Sequence, residues 1–149
     1  MPEINHELCE CQGDLFELAA DKGYDIRCFS NIFLGSDFCM RAFDSAYSRY
    51  QCADAEESLD LLEQETASGL EKASGGRGPG GIIANWTGYI YRVLCQRSGM
   101  PSREILKRIP PETVIGSYYG YHTLDEEMAA DKLLESAGIN KETGTERET

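Results

Sequence analysis

The chain has 149 residues and carries 26 acidic against 14 basic side chains, a formal net charge of −12. That length fits one domain able to bury a core without metal or disulfide staples. The charge repels polyanions and argues against broad nucleic-acid binding or adhesion to anionic lipid. With no signal-like start and no apolar run near about 18 residues, the expectation is a cytoplasmic protein outside the membrane.

The first apolar stripe is Leu8, Cys11, Leu15, Leu18 and Ala19, spaced by threes and fours, which predicts a helix from about Glu7 to Lys22 closed by Gly23. Asp25 caps a second helix bearing Ile26, Phe29, Ile32 and Phe33, ended by Gly35, and Ser36 caps a short third with Phe38, Cys39, Ala42 and Phe43. The stretch Asp44 to Gln51 has no period and reads as a loop, a common place for function. Asp54 stands three residues before Glu57, a capping pair for a helix to about Glu65 that buries Leu59 and Leu62. A connector follows over about 68–81. Its run Ser74 to Gly81 has five glycines and one proline in eight residues and lacks the Gly-Lys-Ser end of a phosphate loop.

Beyond the connector lies the longest predicted helix, Ile82 to about Arg97, with a wide apolar face that includes Trp86, Tyr89, Ile90 and Val93. Gly88 inside it disfavours the helix by about 1 kcal/mol relative to alanine, so it marks a close helix contact. Gly99 ends that helix, Pro101 opens another over Ser102 to Arg108, and Pro110-Pro111 launches a third through Val114, Ile115 and Tyr118. Thr123 and Glu126 match a capping box for a last helix closed by Gly138, and a polar, disordered tail is expected from residue 139 to 149. No stretch alternates with period two, so the fold class is all-α: a single-domain bundle of six to eight helices over 1–138.

The six cysteines, Cys9, Cys11, Cys28, Cys39, Cys52 and Cys95, read as mostly reduced, small apolar residues. Cys9, Cys11 and His6 have no second ligand pair at metal spacing, so neither a metal nor another cofactor is expected. Charge is segregated: Arg92, Arg97, Arg103, Lys107 and Arg108 stand against Glu104, while Asp54, Glu56, Glu57, Asp60, Glu63 and Glu65 stand without a base. Such runs are either solvated or paired within the fold, or they receive a partner of opposite charge. The segment Ser102 to Arg108 looks like a short recognition helix, which keeps a DNA-binding regulator as a third reading although nucleic acid is disfavoured.

No residue set has the spacing of a catalytic centre. His122, in the run Tyr118 to Thr123, is a general-base candidate only if a nucleophile lies near it, and otherwise a structural hydrogen-bond donor. Arg49 and Arg92, each next to tyrosine, offer either an anion pocket or simple stacking.

The runs Trp86 to Arg92, Ser102 to Ile105 and His122 to Asp125, with Tyr47 to Gln51 upstream, resemble a family of small uncharacterised bacterial helical proteins. The resemblance implies no activity or cofactor; it implies gene clusters similar to toxin–antitoxin systems. The expected function is a non-enzymatic, acidic protein-binding module, antitoxin-like or regulatory, with an unidentified protein partner or a second copy of itself. Its docking surface is expected at Tyr47, Arg49, Trp86, Tyr89, Arg92 and His122. The alternative is a small enzyme or binder that holds an anionic small molecule with Arg49, Arg92, Tyr121 and His122.

Overall fold

The fold is built on two helices that meet through glycine. In the computed structural model, which describes residues 4–45, 54–66, 70 and 80–139, α1 spans His6–Asp21 and α5 spans Gly81–Ser98. A β-carbon on Gly88 would lie 2.7 Å from the Gln12 carbonyl oxygen and 2.7 Å from the Phe16 ring. One on Gly13 would lie 2.8 Å from the Asn85 side chain, so each helix offers a glycine where the other's bulk arrives. The Gln12 amide donates to the Gly88 carbonyl at 2.9 Å across this contact.

The other helices pack around this pair: α2 (Ile26–Leu34), α3 (Asp37–Cys39), α4 (Ala55–Thr66), α6 (Ser102–Arg108), α7 (Pro111–Tyr121) and α8 (Glu126–Ser136). No strand occurs among the described residues, and α5 touches α1, α6, α7 and α8, which makes it the central helix of an all-α bundle. Phe16, Phe29 and Phe33 are fully buried, and Phe16 meets the other two edge-to-face at 5.0 and 5.5 Å. Each ring contributes its burial, about 1.5–3 kcal/mol, and fixes the pitch of α2 on α1.

Several local expectations hold. Asp25 accepts from the Arg27 and Cys28 amides and Ser36 from Cys39. Asp54 accepts from Glu57, Pro111 opens α7, and Gly99 ends α5 at φ +76°.

Three expectations change. The last helix is capped by Asp125, which accepts from the Glu127 amide, and not by Thr123. Both lie near the helix start, and the carboxylate adds its charge to the helix dipole. Asp44 does not begin a loop; it closes a π-helical turn, Met40–Asp44, that continues α3. The wider turn lets Phe43 pack on Phe33 while Asp44 faces α5. Ile139, assigned to the tail, is fully buried, and its amide bonds the Leu134 carbonyl at 2.9 Å.

Cys9, Cys28, Cys39 and Cys95 are outside any disulfide, but Cys11 is disulfide-bonded. Burial pushes the Cys9 and Cys39 thiols up to about 12. Most of the connector, the Tyr47 to Gln51 motif and the chain beyond Ile139 lie outside the described residues. Among the described residues, no helix is long and apolar enough to cross a membrane.

Candidate functional site: an aromatic groove edged by carboxylates

Helical spacing places the site. On α5, Ile82, Trp86 and Tyr89 fall at intervals of four and three, so they share one face. On α7, Tyr118 stands four residues before His122, the residue that caps the helix. Their rings stack at 4.5 Å, and His122 Nδ1 lies 2.8 Å from the Tyr118 carbonyl oxygen. The Trp86 ring meets Tyr118 edge-on at 5.5 Å and so joins the two faces.

Between them is a groove of about 320 Å³ lined by these residues with Asn85, Glu17 of α1 and Glu126 of α8. Ile82 stands at its rim, 76% exposed. A neighbouring depression of about 220 Å³ is lined by Asp14, Glu17, Leu18 and Asp21, so Glu17 serves both. Asn85 donates to Glu17 at 2.9 Å and to Asp14 at 3.3 Å, which holds both carboxylates at the edge.

Among the described residues, no Lys or Arg lines either cavity. The Tyr89 side chain is part of the groove's wall. Burial, Cys9 and the carboxylates of Glu126, Glu10 and Asp125 push its pKa up, so it keeps its proton, and it lies 2.6 Å from His6 Nδ1. Trp86, only 9% exposed, has an indole N–H that is buried without an acceptor among the described residues, an uncommon state for a buried donor.

Of the nominated surface, the structure therefore brings Trp86, Tyr89 and His122 together. Tyr121 packs, half-buried, against the core and does not line the groove. Tyr47 and Arg49 lie outside the described residues.

Arg92 belongs elsewhere. It is 2% exposed and donates through Nε to Gln12 at 2.8 Å, through Nη1 to Asp44 at 2.8 Å, and through Nη2 to Ser102 at 2.7 Å. Ser102 in turn donates its hydroxyl to Asp44 at 2.5 Å. Burial disfavours the charged guanidinium, but the Asp44 carboxylate beside it favours the charge, and the net direction is up. A cavity of about 270 Å³ abuts this cluster, lined by Asp44, Arg92, Cys95 and Met100 among others. Arg92 and His122 thus line different cavities, and every Arg92 nitrogen already donates within the fold. With Asp44 beside it, the cluster is a neutralised structural knot in which an incoming anion meets a carboxylate.

The rest of the basic segment is also engaged inside the fold. Arg97 bonds Asp131 at 2.8 Å, Arg103 bonds Asp37 at 2.8 Å, Lys107 reaches Glu104 at 3.4 Å, and Arg108 donates to the Ala137 carbonyl at 3.1 Å. These partners come from helices other than α4. The acidic α4 instead sends Glu65 to the Asp37 and Phe38 amides and Glu63 to the Tyr24 hydroxyl.

Sequence reasoning missed Glu17, Glu126 and Tyr118 of the groove and Asp44 of the knot. Tyr118 was within reach, since it shares a helical face with His122. The carboxylates come from α1 and α8, and only tertiary packing brings them near. Comparison with family models, with curated proteins and with solved structures found no match to this chain.

Proposed function

We propose that this chain is a non-enzymatic protein-binding module whose groove among α1, α5, α7 and α8 receives a basic segment of another protein. The observation that carries the reading is the pairing of an aromatic groove with carboxylates of two helices and, among the described residues, no basic side chain in its walls. Arg92, Arg97 and Arg103 are held in ion pairs within the fold. The overall charge of −12 speeds encounter with a cationic partner and repels nucleic acid. A role as the neutralising half of a two-component pair is the form this takes if the partner is a basic toxin.

The test is recovery of the tagged chain from native lysate at low and moderate salt, in parallel with Glu17→Gln/Glu126→Gln. A stoichiometric basic protein that is lost at higher salt, and lost from the double variant at low salt, supports the reading. A partner held equally by both forms places the interface elsewhere. A chain recovered alone at both salts overturns the proposal.

A further inference from the structure

The groove's chemistry is narrower than acidity in general. Its walls include the rings of Trp86, Tyr89, Tyr118 and His122, and the face of an aromatic ring attracts a cation. Its charged groups are the two carboxylates Glu17 and Glu126, and Ile82 gives an apolar lip. A group that satisfies all three is a cation at the end of a hydrocarbon stem: the stem lies on Ile82 and Trp86, and the head reaches rings and carboxylates. A bare metal ion leaves the rings and the lip unused, and an anion is repelled. The volume of about 320 Å³ is many times the roughly 30 Å³ share of one water, so a whole side chain fits.

The second depression decides what bears the cation. It shares Glu17 with the groove and adds Asp14 and Asp21. A lone amine fills one of the two cavities, whereas a polypeptide with two basic side chains fills both and crosses Glu17.

We infer that this double cavity recognises a dibasic polypeptide segment, with one Lys or Arg side chain in the aromatic groove and the second over Asp14 and Asp21. The inference rests on the protein-binding reading and specifies its partner.

Trp86 is the only tryptophan in the chain, so its fluorescence reports this groove alone. The full chain is titrated with a short capped peptide carrying two lysines, the same peptide with both lysines as glutamine, and n-butylammonium. Expected are a saturable change with the dilysine peptide that weakens with salt, none with the glutamine peptide, and affinity for n-butylammonium lower by about tenfold or more. The exposed rim gives a variant that keeps the fold: Ile82→Lys places a like charge at the entrance and weakens the peptide by about tenfold, with unchanged circular dichroism.

Equal affinity for n-butylammonium and the dilysine peptide overturns the inference in favour of a small-amine site. An unchanged Trp86 signal with every cation overturns it too, even where lysate recovery yields a partner, and the protein-binding reading then stands without it. Saturable, Ile82→Lys-sensitive peptide binding supports it even where lysate recovery yields none.

Discussion

Replacing Gly88 by alanine tests the contact on which the fold and the groove are built. The added carbon falls 2.7 Å from both the Gln12 carbonyl oxygen and Phe16 Cγ, against an ordinary contact of 3.4 Å or more. The α1 and α5 backbones must therefore part by about 0.7 Å, the difference between those values, because a carbonyl cannot rotate away as a flexible side chain can. Overpacking of this kind destabilises by about 1–3 kcal/mol. Displacing Phe16 from its edge contacts with Phe29 and Phe33 adds about 0.5–1.5 kcal/mol. Alanine's better helix propensity returns about 1 kcal/mol.

The net expectation is a loss of roughly 2 kcal/mol, or about 4–8 °C in Tm for a chain of this size. Gly116 in α7 is the control, since a carbon added there meets nothing within 4 Å. Gly116→Ala should gain up to about 1 kcal/mol. Urea denaturation followed by far-ultraviolet circular dichroism measures both. A Gly88→Ala protein as stable as the parent, or two alanines shifting stability in the same direction, would refute the close-contact account.

Asp44→Ala and Arg92→Met should each destabilise by about 3–5 kcal/mol, because each strands a buried charge or its hydrogen-bonding partners. The double variant should lose less than the sum, and an Asp44→Ala loss below about 1 kcal/mol in urea melts would contradict the knot. Stability should also fall at alkaline pH. Burial raises the Cys9 and Cys39 thiols from 9.0 to about 12 in the fold, so their contribution is whole below pH 9 and drains away as pH rises toward 12. A stability that stays level between about pH 9 and 11 would count against that burial. In the native protein a thiol reagent should modify half-buried Cys28 first and reach Cys9, Cys39 and Cys95 only on unfolding. Fast modification of all of them in the folded state would show those sites to be open.

Local signals carried most of the helix boundaries. Asp25, Ser36 and Asp54 were legible as caps, and Gly99 as a stop, because each acts on amides or carbonyls within a few residues. Thr123 against Asp125 was ambiguous, since two competent caps stand two residues apart and only the chain's path decides between them. Gly88 announced a close approach, but Gln12 and Phe16, which meet it, are about seventy residues away in sequence.

The site was half legible for the same reason. Trp86 and Tyr89 share a helical face that any wheel displays, and His122 follows an aromatic run. Arg92 looked like a surface cation because it is flanked by Tyr91 and the helix continues past it. Its burial depends on Asp44, which the π-helical turn delivers and no sequence period foretells. Glu17 and Glu126 looked like ordinary helix-surface charges until α1 and α8 closed around α5.

The most direct test of the groove as an interface is a photo-crosslinking residue placed at Ile82, on its rim and 76% exposed, in cells of the native host. The same residue at Leu61, 41% exposed on α4 and no part of the groove, is the reference position. The account predicts a discrete adduct with one basic protein from position 82, abolished by Glu17→Gln/Glu126→Gln, and none from position 61. Adducts of equal yield from both positions, or none from position 82, would contradict it.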